Sequence, residues 1–324
     1  MEGLMDFSLR EIVSRYGHID LAVSEFVRVV DLPLPESVFL AQVPELAHGG
    51  ITKYGTPIRV QLLGSDPEAL LANAKTALAM GSHGVDFNFG CPSKTVNRHC
   101  GGAALLKEPD RIYNILHHIK SNLPANTSLS AKMRLGFDDT SKSLDVALAV
   151  AYAGFDTLVV HGRTKRQGYK PPADWEAIGK IKQAVRIKVI ANGDIFTQDA
   201  YRRCLEVTGC TDVMIGRGAV YQPNLIAQLA HGDNPLAWQE ILQLLLDYQN
   251  LMHFDGFPER HIPGRVKQWV KLLGAAHEQG AELFSDLKHL QDLNSVKKHI
   301  QNEKYCLIHF ASIHYIFCNC ARQY

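Results

Sequence analysis

The sequence lacks the features that mark several specialised classes of protein. Among its 324 residues there is no Cys-x-x-Cys pair, and the seven cysteines are odd in number and irregularly spaced. This distribution argues against a disulfide framework and for a reducing compartment. No apolar run reaches the roughly 18 residues that a membrane span needs, and the N-terminus lacks the apolar stretch of a secretory signal. We therefore expect a cytoplasmic protein without a membrane span or a metal site.

An excess of charge of one sign is also missing. The formal net charge is +1, with 46% hydrophobic and 21% charged residues, which is typical of a soluble globular protein. Global basicity would indicate a nucleic-acid binder. Any such role must therefore come from a local basic patch.

Short runs of β-branched and aromatic residues alternate with longer segments of helical period, as in a parallel sheet wrapped by helices. The predicted strands are Leu21–Val27, Ile58–Leu63, Val85–Phe89, Leu129–Leu135, Thr157–Val160, Ile187–Ala191 and Asp212–Ile215. This count is one short of a (β/α)8 TIM barrel. Because Ser8–Tyr16 has the pattern of a helix, we expect the first barrel strand to be truncated, with its missing part upstream of Met1.

Polar residues with chemically capable side chains stand at the ends of six successive predicted strands. In chain order they are Gln61, Asn88 with Cys91, Lys132 with Arg134, His161, Asn192, and Gly216 with Arg217. The carboxyl ends of barrel strands meet at one mouth, where active sites lie. One polar strand end is usually an ordinary turn residue, whereas six in register predict a site.

Two of these strand ends have the composition of a phosphate site. Asn192-Gly193-Asp194 and Gly216-Arg217-Gly218 follow strands 7 and 8 if one strand is missing at the start, and barrels hold ligand phosphates there. Glycine lets backbone amides approach an anion, and Arg217 can add charge-assisted hydrogen bonds. The alternative is that the glycines only turn the chain.

Cys91 is the candidate acid or nucleophile. It follows a strand directly and has Lys94 and Arg98 nearby, which can tune a thiol. Cys100 is a rival that spacing alone does not exclude. Cys204 and Cys210, flanked by helix-like and turn residues, are expected to be inert buried residues.

A basic run follows the fifth predicted strand. It comprises Arg163, Lys165, Arg166 and Lys170, with Tyr169 interleaved. Such runs are usually solvated faces, but this one lies on the predicted rim of the barrel. A basic mouth in a neutral protein indicates an anionic substrate larger than the pocket, and a nucleic acid fits.

The pattern changes after about residue 231. Trp238–Leu251 is amphipathic and helical, and Arg265, Lys267 and Lys271 fall near one helix face, as a second basic surface or an ordinary solvated one. We predict a barrel over residues 1–232, a helical domain over 236–300 and an atypical tail over 301–324.

These motifs resemble the tRNA-dihydrouridine synthases over the chain to about residue 300. The resemblance is carried by Asn88-Phe89-Gly90-Cys91-Pro92-Ser93-Lys94 with Gly101-Gly102-Ala103, and by Gln61, Lys132-Met133-Arg134, His161-Gly162-Arg163-Thr164, Asn192-Gly193-Asp194 and Gly216-Arg217-Gly218. Glu25–Val29 and Arg265–Trp269 look like the bacterial C-type branch, which implies the uridine at position 16 of the tRNA D-loop.

The resemblance implies an FMN-dependent oxidoreductase that uses NADPH to reduce the C5–C6 double bond of one uridine in tRNA. It assigns the acid to Cys91. The implied FMN contacts are Met1, Gln61, Lys132, His161, Asn192, Gly193, Asp194, Gly216 and Arg217. The implied tRNA contacts are Arg28, Asn88, Tyr169, Arg265, Lys267 and Lys288. We expect a monomer.

Three other interpretations of the same residues stay open at this point. An FMN barrel that reduces a small pyrimidine or enone needs neither a basic rim nor a helical tRNA-binding domain. A Schiff-base aldolase would use Lys132 as its nucleophile and would be colourless. A noncatalytic tRNA-binding barrel is the third.

Overall fold

The computed structural model describes residues 3, 5–98, 101–254 and 256–305. They form one sheet of seven parallel strands in sequence order. The strands are β1 (Ala22–Arg28), β2 (Ile58–Leu63), β3 (Val85–Phe89), β4 (Leu129–Arg134), β5 (Thr157–His161), β6 (Lys188–Asn192) and β7 (Asp212–Met214). Each strand lies within one residue of its predicted bounds, because apolar β-branched runs favour strands that are buried on both faces.

The helices lie between consecutive strands and at the two ends of the chain. They are α1 (Phe7–Ser14), α2 (Glu36–Gln42), α3 (Pro67–Ala79), α4 (Lys94–Arg98), α5 (Pro109–Ser121), α6 (Ser143–Tyr152), α7 (Trp175–Ala184), α8 (Gln198–Thr208), α9 (Arg217–Tyr221), α10 (Leu225–His231), α11 (Trp238–Phe254), α12 (Ile262–Leu273) and α13 (Glu278–Leu287). Residues 293–305 are also helical. None of the helices in the described ranges combines the length and apolarity needed to cross a membrane.

This alternation of parallel strands and helices confirms the predicted α/β, TIM-barrel-like fold. The sheet runs from β1 to β7, and no ladder joins these two strands within the described ranges. The missing part of the first barrel strand, which was predicted to lie upstream of Met1, is not part of this chain and stays a prediction. The predicted helix at Ser8–Tyr16 is present as α1.

Capping side chains fix where several crossover helices begin. Asp66, Asp174 and Thr197 accept hydrogen bonds from the first turns of α3, α7 and α8, at 2.8, 2.8 and 3.2 Å. Each cap satisfies a backbone N–H that a helix start would otherwise leave unpaired. The caps therefore define the length of the loops that separate each strand from its helix.

Two apolar cores hold the molecule together. The larger core lies between the sheet and its surrounding helices. The second contains the buried faces of α11, α12 and α13, and it also includes Leu9, Ile12 and Val13 of α1. The helices after residue 236 therefore share their core with the start of the chain, while the predicted domain boundaries stay a prediction. The helix that begins at residue 293 continues to 305, and residues 306–324 of the predicted tail lie outside the described ranges.

Leu273 tests the second core. Its side chain is fully buried, so Leu273→Ala should lower the free energy of unfolding by about 2–5 kcal/mol through lost burial and a cavity. Lys271→Ala, on an exposed position of the same helix, should change it by less than about 0.5 kcal/mol. Urea unfolding followed by circular dichroism measures both. Equal effects of the two substitutions would contradict this account of the core.

Candidate active site

The carboxyl end of the sheet brings the predicted polar residues together. His161 and Asn192 are the last residues of β5 and β6. The strand register places Asn88 beside Lys132, and His161 beside both Arg134 and Asn192. The predicted convergence of strand ends is therefore present in the structure.

Gln61 differs slightly from its predicted place, because Leu62 and Leu63 continue β2 beyond it. Its side chain is nevertheless buried within the barrel, and its carbonyl accepts a hydrogen bond of 2.7 Å from the Asn88 amide. Gln61 therefore contacts the polar residues at the strand ends through Asn88, although it lies two residues before the end of β2.

The loop that carries Cys91 is held at several backbone atoms. The Cys91 N–H donates to Asn88 Oδ1 at 2.7 Å, and the Gly90 carbonyl accepts from Arg134 Nε at 2.7 Å. Gly102 packs beneath the loop at φ +57°, and a Cβ there would lie 2.9 Å from the Cys91 carbonyl oxygen. Only glycine fits such a position without strain, so the nearby glycine pair has a packing reason.

The Cys91 side chain lies at the apolar side of the mouth. It is 7% exposed and packs with Phe26, Leu63 and Val96. These neighbours leave little of the thiol open to solvent. Cys204 and Cys210 are buried on the outer side of the sheet's core, where burial raises the pKa of the Cys204 thiol to about 12. That agrees with their predicted inert character.

Lys132 and His161 lie in a strongly electropositive environment. Burial, and then the charge of Arg134, lower the pKa of Lys132 to about 8; its ammonium donates to Asn192 Oδ1 at 3.1 Å. Burial, together with four surrounding cations, lowers the pKa of His161 to about 2. His161 is therefore neutral, and the surplus positive charge suits an anionic or electron-rich ligand.

Arg163 corrects the prediction that the whole basic run lines the rim. Its side chain is fully buried and forms an ion pair with Asp194, as a buried charge requires. It also donates to the Lys170 carbonyl at 2.6 Å and to His161 Nε2 at 3.3 Å. Because arginine can only donate, the neutral His161 ring carries its proton on Nδ1. Arg166 and Lys170 are exposed, as predicted.

In the two predicted phosphate loops, Asp194 of the first loop pairs with Arg217 of the second, which the sequence did not indicate. Asp194 accepts from the Ala173 N–H at 2.8 Å and from Arg217 at 3.4 Å, besides its pair with Arg163. A carboxylate repels a phosphate, so Asp194 can contribute to binding only through its backbone or by orienting Arg217. Gly193, at φ +125°, has no room for a Cβ beside Ala173.

Tyr169 lies across the mouth and is half exposed. The guanidinium carbons of Arg134 and Arg217 lie 5.2 and 4.9 Å from its ring centroid, and the His161 ring lies at 6.1 Å. A half-exposed aromatic ring with two cations near it offers a stacking surface for a planar ligand.

The predicted tRNA contacts divide into exposed side chains and side chains that are held within the protein; the exposed Lys288 also donates to Ser285 Oγ at 3.3 Å. Arg28 and Lys288 are exposed, whereas Lys267 donates to the Leu290 carbonyl at 2.7 Å. Arg265 pairs with Asp6 and donates to the Gly3 carbonyl, so it joins α12 to the residues before α1. Met1 and Cys100 lie outside the described residues.

The sequence analysis missed Asp86, which lies wholly buried in β3 and bonds Gln61 and Ser130. The available signal was an acidic residue inside an apolar strand, two positions before Asn88, because residues two apart share one face of a strand.

A parallel α/β sheet with its polar groups at the carboxyl ends places the protein among the barrel enzymes. Within that class, the family model for dihydrouridine synthase (Dus) matches residues 1–304, and the chain belongs to this family. It is an FMN-dependent oxidoreductase that reduces uridine in tRNA to dihydrouridine, with NADPH as the reductant. The small-molecule reductase, the aldolase and the noncatalytic barrel are not the activity of this family.

Curated relatives cover almost the whole chain. It is 46% identical over 288 residues to the tRNA-dihydrouridine(16) synthase of Shewanella oneidensis, covering 89% of this chain and 91% of the relative. It is 45% identical over 302 residues to the protein of the same name from Haemophilus ducreyi, with 93% of each chain covered. Histamine dehydrogenase from Rhizobium sp. 4-9 has a similar fold, with a TM-score of 0.52 at 12% identity over 75% of this chain and 46% of that chain.

The pKa of Lys132 predicts how FMN binding depends on pH. With a pKa of about 8, the ammonium is charged at pH 7 and loses its proton as pH rises, so FMN affinity should fall between pH 8 and 9.5, by up to about tenfold per pH unit. Fluorescence titration of flavin-free protein measures this. Lys132→Met should bind FMN more weakly and without that slope. The same slope in both proteins would remove Lys132 from the flavin site.

Proposed function

We propose that this enzyme reduces the uridine at position 16 of the tRNA D-loop. The name tRNA-dihydrouridine(16) synthase, carried by relatives more than 40% identical to it, supports this position. The observation that supports the reduction itself is the loop at the mouth in which the Cys91 N–H donates to Asn88 Oδ1 at 2.7 Å, which holds the proposed proton donor in place. We also propose that the enzyme is a monomer and acts in the cytoplasm.

The residues at the mouth fit FMN. Lys132, Gln61 and neutral His161 would face the flavin ring and its ribityl chain, since they supply one charge and several polar groups from β4, β2 and β5. Arg217 and the backbone of Gly193 would hold the phosphate. FMN held by these residues would supply hydride chemistry directed at C6 of the uracil.

Cys91 would supply the proton. Hydride addition at C6 leaves negative charge on the C5–C4–O4 side of the ring, and C5 must receive a proton from the opposite face. A thiol in a fixed loop can donate it, because general-acid catalysis needs the donor within hydrogen-bond reach of the reacting atom. Arg134 holds this loop at the Gly90 carbonyl, so the position of the donor does not depend on solvent.

The target base has to leave the tRNA stack to reach this mouth. Extrusion costs a few kcal/mol, and less in a loop than in a duplex. Tyr169 would stack on the extruded nucleotide, and Asn88 keeps one amide N–H for the uracil. Arg28 and Lys288, both exposed, would bind phosphates around it.

Cys91→Ala tests the acid and the proposed position together. Unmodified tRNA is incubated with protein, FMN and NADPH, and dihydrouridine at each D-loop position is measured by mass spectrometry. The parent should modify position 16, and Cys91→Ala should be slower by about 100- to 10,000-fold while its flavin is still reduced by NADPH. Cys100→Ala should be mild. Loss of activity in Cys100→Ala alone would reverse the assignment of the acid.

Charge reversal tests the RNA surface. Lys288→Glu should weaken tRNA binding by about tenfold at low salt and lower its salt dependence, because a phosphate contact is lost, and flavin reduction by NADPH should not change. Lys180→Glu, an exposed position on α7, is the matched control. Filter binding at several salt concentrations measures both variants. Equal affinities would exclude Lys288 from the RNA site.

A further inference from the structure

A carboxylate lies at the base of the mouth, outside the set of residues assigned so far. Asp86 is fully buried in the middle of β3 and shares one strand face with Asn88. A buried charge is costly unless it is paired or hydrogen-bonded. A carboxylate at this fully buried position therefore calls for a role that outweighs this cost.

Asp86 starts a chain of short hydrogen bonds that ends at the catalytic loop. Asp86 Oδ2 accepts from Gln61 Nε2 at 2.7 Å, and Gln61 Oε1 accepts from Asn88 Nδ2 at 2.7 Å. Asn88 Oδ1 then accepts from the backbone N–H groups of Gly90 at 2.8 Å and Cys91 at 2.7 Å. Three side chains thus connect the barrel interior to Cys91.

The direction of every bond in this chain is determined by its two ends. A carboxylate can only accept and a backbone N–H can only donate. Gln61 must therefore turn its NH2 toward Asp86 and its carbonyl toward Asn88. Asn88 in turn must present its carbonyl to the loop. With either amide reversed, two donors or two acceptors would face each other in a buried site, which is unfavourable because neither group would then have a hydrogen-bond partner.

We propose that Asp86 is a positioning residue for the reaction, which orients the amides of Gln61 and Asn88 and thereby holds Cys91 where it protonates uracil C5. This inference rests on the proposed role of Cys91. Asp86 does not touch the reacting atoms, and it acts through Gln61 and Asn88. Ser130, which donates to Asp86 Oδ1 at 2.5 Å, anchors the carboxylate from the side away from Gln61.

The charge of Asp86 is a separate property from its ability to accept. Burial raises the pKa of Asp86, while hydrogen bonds from Ser130 and Gln61 and the charges of Arg59 and Lys132 oppose that change. Asp86→Asn removes the charge and keeps an acceptor: its carbonyl can face Gln61, and its NH2 can face Ser130 once that hydroxyl rotates. Asp86→Ala and Asp86→Val keep neither charge nor acceptor.

The two half-reactions separate positioning from flavin chemistry. Reduction of the bound flavin by NADPH is followed by bleaching of its absorbance, and reoxidation of the reduced enzyme by tRNA is followed by its return. Asp86→Ala and Asp86→Val should slow reoxidation by tRNA about 10- to 100-fold, as expected for a misplaced reacting group. They should slow reduction by NADPH less than reoxidation, because Gln61 is the one expected flavin contact among the side chains of this hydrogen-bond chain. Asp86→Asn and Ser130→Ala should reoxidise within about threefold of the parent.

Alkylation of Cys91 gives a readout that needs neither tRNA nor turnover. The thiol is 7% exposed, so release of its loop should speed its reaction with iodoacetamide several-fold in Asp86→Ala or Asp86→Val and leave Asp86→Asn at the parent rate. Peptide mass spectrometry follows Cys91 separately from the other cysteines.

Parent-like reoxidation and alkylation in either folded variant without an acceptor would overturn the proposal. So would a tenfold loss of reoxidation in Asp86→Asn, because the charge would then be the property that matters. This second criterion uses an isosteric variant and holds even if Ala and Val do not fold. If the parent itself is not reoxidised by tRNA, the proposed function fails, and alkylation still tests the link from Asp86 to Cys91.

Discussion

Burial of charge at the carboxyl end of the sheet is the constraint on which this site depends. Burial and four nearby cations keep His161 neutral, and two carboxylates partly offset these cations from different depths in the barrel. Asp86 lies within the barrel, and Asp194 lies between Arg163 and Arg217 at the rim. Each carboxylate holds side chains in place, yet together they leave positive charge in excess. That excess favours an anionic cofactor and a polyanionic substrate.

The same constraint explains why the site is divided between rigid and accessible parts. Asp194 and its partner Arg163 are fixed by bonds to backbone atoms, namely the Ala173 N–H and the Lys170 carbonyl, and Asp86 is fixed by the side chains of Gln61 and Ser130. Tyr169, by contrast, is half exposed above them and contacts cations through its ring face. A rigid floor of the site with an accessible aromatic ring above it suits a cofactor that is held from below. A nucleobase can then enter from the solvent side.

The sequence predicted the sheet and the direction of its polar ends closely, because both follow from local patterns. Apolar β-branched runs fix the strands, and parallel order places successive ends together. Arg163 could not be placed this way: it lies in a basic run, and its burial depends on Asp194, 31 residues further along the chain. Asp86 was missed since its partners come from β2 and β4. Pairings between distant segments are what local patterns cannot show.

Lys132 shows that this arrangement lowers stability in return for binding. A lysine with a pKa of about 8 in the folded protein and about 10.4 when unfolded opposes folding below pH 8, by roughly 3 kcal/mol. Between the two pKa values the unfolded chain binds one proton more, so this penalty fades as pH rises. A bound anion relieves the same penalty at neutral pH, because it stabilises the ammonium that burial and the charge of Arg134 disfavour. The site is therefore most strained when its cofactor is absent, and FMN should contribute to the stability of the fold as well as to its chemistry.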